Sequence, residues 1–341
     1  MSEAVESVLR FPRLARTVAA ARSFNAASSP PASTAGQAQF NMRSAMDLDP
    51  RLGKWVSRQV IRHREPAAWQ VADLKASRIV DVNEVEKAVA TIRRDGFYVF
   101  DQVVDRSITD AIRSFAEQAP STARGAGTPP AVYPRSAPAV GRYDIDEPVG
   151  LQCPEIQEFV TDPVMALIAQ RYLGQPVLMD EVAFWWTTTQ RAEDADTNAQ
   201  LFHQDRDRLS FLKFFIYLTD VEPDTGPHVY IKGSHRRLPW SLRGDGRKSD
   251  EAVRAAGLWG EVTEICGPAG SVMAVDTIGL HKGKTPTRGD RLALENEFST
   301  SLFGQDYERP VFEPTELVRE RFAQMPWVLQ RYANAVQGQQ H

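Results

Sequence analysis

The 341-residue chain lacks most of the features that would assign its class at a glance. Its two cysteines, Cys153 and Cys266, are too few for a disulfide framework, so stability must come from a packed core, and this usage fits a reducing compartment. No apolar run approaches the roughly 20 residues of a membrane-spanning helix. The longest, such as Phe214-Phe215-Ile216-Tyr217-Leu218, are of strand length. No charge of one sign dominates: 40 basic residues stand against 44 acidic ones, for a formal net charge of −4. That balance leaves no electrostatic footprint for nucleic acid or for an anionic membrane. There is no internal repeat, and nothing specifies an oligomeric state. What remains is 42% hydrophobic, enough for a core in one large domain or two modest ones.

Residues 1–46 differ from the rest. They are rich in Ala, Ser, Arg and Pro, and Arg10, Arg13, Arg16 and Arg22 are spaced as on one helix face. Such a composition also suits an organelle transit peptide. Glu3 and Glu6 at the start, and the missing apolar signal core, favour a flexible or loosely docked tail on a cytoplasmic protein.

The chain then reads as helices followed by strands. Val85, Ala88, Val89 and Ile92 recur at helical spacing until Asp95-Gly96, and Phe97–Phe100 is a short strand. Ser107 is expected to cap a second helix carrying Ile108, Ile112 and Phe115. Residues 120–150, with six prolines, among them Pro129, Pro130, Pro134 and Pro138, and several glycines, read as a long irregular segment. Pro163–Leu173 is a third helix, ended by Gly174. Beyond Val177 strands dominate: 178–189, 211–219, 229–231, 271–275 and 291–299, separated by turns such as Glu222–Pro227 and Gly267–Gly270. Many short strands between turns suggest a sandwich or barrel. The stretch 316–335 is helical, interrupted by Pro326.

Within the strand-rich half stands His203-Gln204-Asp205, with His281 far downstream and Arg291 ten residues beyond it. Two imidazoles and one carboxylate occupy one face of a metal and leave the opposite face open, which suits non-haem Fe(II) working with O2. Residues i and i+2 of a strand share a face, so His203 and Asp205 are expected on one strand, facing one metal. A planar guanidinium such as Arg291 suits a dicarboxylate co-substrate, because it binds carboxylate bidentately and keeps its charge.

The segments "FHQD", "FLKFFIYLTDVEPDTGPHVYIKGSHR" and "GLHKGKTPTRGDRLALENEFS", preceded by "RRDGFYVFDQVVD", resemble the phytanoyl-CoA dioxygenase family of Fe(II)/2-oxoglutarate oxygenases. The likeness runs from about Glu84 to about Ser299, roughly two-thirds of the chain. It implies a mainly β fold with flanking helices: a double-stranded β-helix, or cupin-like jelly roll, in a single domain over 47–341 with a helical N-terminal buttress and a C-terminal helix. It implies His203, Asp205 and His281 as iron ligands, and Fe(II), 2-oxoglutarate and O2 as cofactor and co-substrates. Arg291 would hold the co-substrate's distal carboxylate, with Arg288 as competitor. Relatives often carry a serine two residues after the second histidine; here Gly283 stands there, and Thr285 is the candidate substitute. Asp205 fills the position that related halogenases leave open for halide.

Other residues read two ways. Lys213, inside an apolar strand, either reaches a rim or projects into the cavity towards a carboxylate. Of Trp185 and Trp186, adjacent in one strand, one lines the pocket and the other packs in the core. Arg142 and Tyr143 are candidates for gripping substrate, as is Gln204 beside the metal pair. His228 and His235 read as structural. The expected activity is hydroxylation of a C–H bond in a small metabolite or natural-product intermediate of secondary metabolism. Desaturation, epimerisation or ring formation at the same site are alternatives, as are a zinc hydrolase and a catalytically silent ligand-binding jelly roll.

Overall fold

The computed structural model describes residue 15 and residues 18–21, 42–43, 46, 51–61, 77–189, 200–244, 246–304 and 307–338. The tail expected over 1–46 therefore lies mostly outside the described residues.

The helix Val85–Asp95 buries Val85, Ala88, Val89 and Ile92 and stops at Gly96. Gly96 has φ 96°, and a Cβ there would also sit 2.2 Å from the Tyr230 hydroxyl. Only glycine meets both demands. Strand β1 (Phe97–Val103) follows directly. The next helix, Arg106–Ala116, is capped by Asp105 rather than by Ser107. The Asp105 carboxylate accepts from both the backbone N–H and the hydroxyl of Ser107, placing Ser107 inside the first turn. Helix Pro163–Leu173 begins at Asp162, which accepts from the N–H groups of Val164 and Met165, and ends at Gly174, as its sequence predicts.

The segment 120–150 is more ordered than its composition suggests. It holds β2 (Pro120–Ala123), β3 (Ala131–Val132) and β4 (Arg142–Ile145). Strand β4 pairs with the tryptophan-bearing β5 (Leu178–Thr187), with Tyr143 opposite Trp186 and Asp144 opposite Trp185. A partner distant in sequence, not local propensity, makes this segment extended.

The remaining strands are β6 (Phe211–Tyr217), β7 (His228–Ile231), β8 (Val262–Ile265), β9 (Ser271–Val275), β10 (His281–Gly283) and β11 (Arg291–Ser299). They form an eight-stranded antiparallel sheet in the order β1-β9-β6-β11-β5-β4-β2-β3, and a three-stranded sheet β10-β7-β8. A single bridge to His281 adds His203 to the smaller sheet, and another joins Phe202 to Lys248. Two facing antiparallel sheets with helices against the larger one make the double-stranded β-helix that the sequence predicts.

Period-2 alternation divides the large sheet between two cores. On one face Phe214, Ile216, Phe184, Trp186, Leu292, Leu294 and Phe298 join the residues of helices Val85–Asp95 and Pro163–Leu173. On the other, Trp185, Phe215, Tyr217, Met273, Val275 and Ala293 meet Tyr230 and Ile265 of the small sheet. Burying each such large side chain contributes about 1.5–3 kcal/mol. Strands buried on both faces leave no amphipathic trace, which is why β6, Lys213 apart, reads as an apolar run. Polar residues of the sheet that line the site, among them Lys213 and Glu295, lie on this inner face. Among the described residues no helix is long and apolar enough to cross a membrane.

Candidate active site

The two histidines are brought together by backbone pairing. The His203 N–H donates to the His281 carbonyl at 2.9 Å, and the His281 N–H returns the bond at 3.0 Å. Asp205 is held separately, its N–H donating to the Thr277 carbonyl at 2.8 Å. The expected His203–Asp205 strand is therefore not formed: a single bridge at His203 is followed by irregular chain that turns Asp205 back towards the same point. Arg208 anchors this segment, with its guanidinium bidentate on the buried Asp180 of β5 at 2.6 and 2.8 Å. Gly279 makes the approach to His281 possible, since a Cβ there would lie 1.9 Å from the Tyr230 hydroxyl.

Each imidazole is oriented from behind. His203 Nδ1 lies 2.9 Å from the Leu201 carbonyl and His281 Nδ1 lies 3.0 Å from the Gly279 carbonyl. A carbonyl only accepts, so Nδ1 carries the proton and Nε2 presents its lone pair forward. The two Nε2 atoms each lie 3.6 Å from an Asp205 oxygen, His203 from Oδ1 and His281 from Oδ2. All three ligand atoms fall within 4.8 Å of one another, close enough to hold one metal ion. Burial, and then the neighbouring His281, push the His203 imidazole down to about 3, so it is neutral near pH 7, the form that binds metal. Burial alone would raise the Asp205 carboxyl. The Lys213 ammonium and the two imidazoles override it and hold the group well below the ordinary carboxylate range.

A cavity of about 270 Å³ opens on this trio. Arg291 lines it, buried, at the head of β11 opposite Thr187. It donates to the Gly226 carbonyl and to Thr187 Oγ1 (3.2 Å), while its Nε has no hydrogen-bond partner. A buried donor left unmatched costs free energy, and an anion in the cavity would relieve it. Arg288, the competitor, lies exposed on Asp224 and Glu222 and does not line the cavity. Thr285 does not line it either.

Of each adjacent pair, the sheet aims one residue inward. Trp185 and Arg142 line the cavity, the Arg142 guanidinium 4.2 Å above the Trp185 ring and bonded to Asp144 at 2.7 Å. Trp186 and Tyr143 face the helices instead. Trp186 stacks on Tyr133 at 4.9 Å, and the Tyr143 hydroxyl accepts from the Ala139 N–H at 2.7 Å. The substrate contacts expected of Trp186 and Tyr143 thus have no cavity to reach, because strand alternation turns both residues away. Gln204 donates to the Ile278 carbonyl at 2.6 Å and borders a neighbouring cavity that shares His203 and Asp205. Lys213 lines the cavity, but among protein carboxylates: 3.2 Å from Asp205, 3.2 Å from Asp207 and 2.9 Å from Glu295.

Several lining residues escaped the sequence. His228 stacks on His281 with ring centroids 5.3 Å apart and planes 6° apart, and its Nε2 is buried without a partner. It therefore borders the site instead of only shaping a turn. His235 is structural as expected, with Nε2 3.3 Å from the Arg93 carbonyl. Glu181 and Glu295 also face the cavity, and burial raises the Glu181 carboxyl to about 7. The β11 pattern held a clue: Arg291, Ala293, Glu295 and Glu297 share one face at i, i+2, i+4 and i+6.

A family model described as phytanoyl-CoA dioxygenase (PhyH) matches residues 92–291, which span β1, the candidate metal trio and Arg291. The chain belongs to this family. Its Fe(II), 2-oxoglutarate and O2 are accordingly the metal and co-substrates, and the residues present fit them. Two forward-facing Nε2 atoms and a carboxylate suit Fe(II), and the unmatched Arg291 Nε suits a carboxylate of 2-oxoglutarate. Similar solved structures include the epimerase SnoN in complex with Fe3+, alpha ketoglutarate and nogalamycin RO (19% identity, 64% of this chain and 84% of that chain, TM-score 0.44). HygX from Streptomyces hygroscopicus, with nickel, 2-oxoglutarate and hygromycin B bound, is 17% identical over 67% of this chain and 88% of that chain, TM-score 0.43. EctD from S. alaskensis, with 2-oxoglutarate and 5-hydroxyectoine, is 17% identical over 69% of this chain and 81% of that chain, TM-score 0.46. No curated protein matches the sequence.

Proposed function

We propose that the chain is an Fe(II)- and 2-oxoglutarate-dependent hydroxylase of a small organic molecule, with His203, Asp205 and His281 as the iron ligands. The observation that carries this is the convergence of the two Nε2 atoms and the Asp205 carboxylate on a cavity also lined by the incompletely bonded Arg291. Bound Fe(II), with 2-oxoglutarate and O2, supplies the oxidising power to attack an unactivated C–H bond.

The chain's own residues do the rest. The Leu201 and Gly279 carbonyls fix the imidazole tautomers, so neither ring has to reorganise to bind metal. Arg291 fixes the distal carboxylate of the co-substrate and so its direction along the cavity. Trp185, Phe215 and Ala183 form an apolar wall that limits water beside the reacting centre. Arg142, stiffened by Asp144 and stacked on Trp185, is placed to grip a polar or anionic substrate group. Glu181 and Glu295 give the same cavity acceptors for substrate hydroxyl or amino groups. A cavity of about 270 Å³ lined by groups of both signs favours a free polar metabolite over a carrier-bound chain.

Turnover against a metabolite pool, read by mass, tests the reading. Hydroxylation adds one oxygen. Loss of two hydrogens would assign desaturation or ring formation, and an unchanged mass with consumed 2-oxoglutarate would assign epimerisation.

A further inference from the structure

Lys213 stands where an apolar residue would be expected. It sits in the middle of β6, in Phe211-Leu212-Lys213-Phe214-Phe215, with its side chain 7% exposed. Four carboxylates converge on its ammonium: Glu295 at 2.9 Å, Asp205 and Asp207 at 3.2 Å, and Glu297 at 3.5 Å. A buried ion cluster of this kind is an expensive way to fill a core, and apolar residues of equal volume often serve stability as well. Its retention beside the site calls for another role.

The contact with Asp205 supplies one. Each Asp205 oxygen lies 3.6 Å from one Nε2, Oδ1 from His203 and Oδ2 from His281, but only Oδ2 is also engaged by the Lys213 ammonium, at 3.2 Å. An oxygen that accepts from an ammonium is a poorer donor to a metal than its unengaged twin. We propose that Lys213 is a positioning residue that makes Asp205 a one-oxygen ligand and so keeps a coordination position available for the co-substrate. The proposal rests on Asp205 being a metal ligand. Asp207 and Glu297, with Glu181, also lie close enough to hold a second cation, and neither Glu297 oxygen has a hydrogen bond. In this arrangement the Lys213 ammonium supplies the cluster's positive charge.

The test uses the full chain stripped of iron by chelation and reloaded with Co(II), whose d–d absorption reports coordination number without turnover. Asp205→Ala and His203→Ala address the ligand reading itself: if either keeps wild-type Co(II) affinity, that reading fails, whatever Lys213 does. Lys213→Met addresses the proposal. It should still take up Co(II), show a weaker and shifted d–d band as the second Asp205 oxygen coordinates, and bind 2-oxoglutarate at least tenfold more weakly. If the methionine variant does not fold, Lys213→Gln, which is neutral and too short to reach Asp205, should give the same changes. A folded neutral variant with the wild-type spectrum and wild-type 2-oxoglutarate affinity overturns the proposal. So does wild-type protein that binds two Co(II) ions per chain and loses one in Glu297→Gln.

Discussion

His203 and His281 are backbone neighbours: each donates its N–H to the other's carbonyl, at 2.9 and 3.0 Å. The pair is therefore positioned by the sheet, and the side chains are free to serve chemistry. Their Nδ1 atoms are engaged by their own local carbonyls, and only Nε2 faces the cavity.

It follows that His281→Ala should remove metal binding while leaving the fold. Metal affinity should fall more than the roughly 100-fold seen for loss of an outer-shell partner. The melting temperature of the metal-free protein should stay within a few degrees of wild type. Isothermal titration with Fe(II) under nitrogen, beside a thermal melt, measures both.

Arg291 and Arg288 lie three residues apart and differ in every relevant respect. Arg291 is buried in the cavity with an unmatched Nε, whereas Arg288 is exposed on two surface carboxylates. Arg291→Lys should weaken 2-oxoglutarate binding by about 10- to 100-fold, because a point charge replaces a fork worth about 1.5–3 kcal/mol. Arg288→Ala should leave that affinity unchanged and stability within about 1 kcal/mol. Equal effects at the two positions would contradict the assignment.

A buried ion pair helps to anchor the segment between residues 200 and 210. Arg208 is bidentate on Asp180, and both side chains are buried. Removing one partner of such a pair leaves an uncompensated charge in the core, so Arg208→Met should destabilise the protein by about 3–5 kcal/mol in urea unfolding. The double variant Arg208→Met with Asp180→Leu should recover much of the loss.

Burial raises the Glu181 carboxyl to about 7, so the folded chain holds a proton that the unfolded chain releases near the ordinary value of about 4.3. Stability from this group is complete at low pH and is lost as pH rises through the interval between those two values. The wild-type melting temperature should therefore decline from about pH 5 to about pH 8 more steeply than that of Glu181→Gln. Identical slopes would show that Glu181 is already ionised.

Legibility in the sequence followed the range of the interactions. Helix Val85–Asp95 and strands β6, β9 and β11 were readable, because period and turn residues are local signals. Strands β2 to β4 were not, since only their pairing onto β5 makes that proline-rich segment extended. Asp105 took the cap expected of Ser107 because its carboxylate accepts two bonds from that residue. The metal trio stood out as a motif, although the strand expected to present His203 and Asp205 together is a single bridge and a turn. Glu181, Glu295 and His228 stayed hidden because a strand buried on both faces masks which residues point inward.

The most direct measurement is anaerobic titration of wild type and Asp205→Ala with Fe(II) in the presence of 2-oxoglutarate, followed by exposure to O2. Wild type should bind one Fe(II), develop the weak visible charge-transfer band of chelated iron, and convert 2-oxoglutarate to succinate once oxygen is admitted. Asp205→Ala should do none of these. A wild-type protein without the band, or a variant that keeps it, would contradict the account.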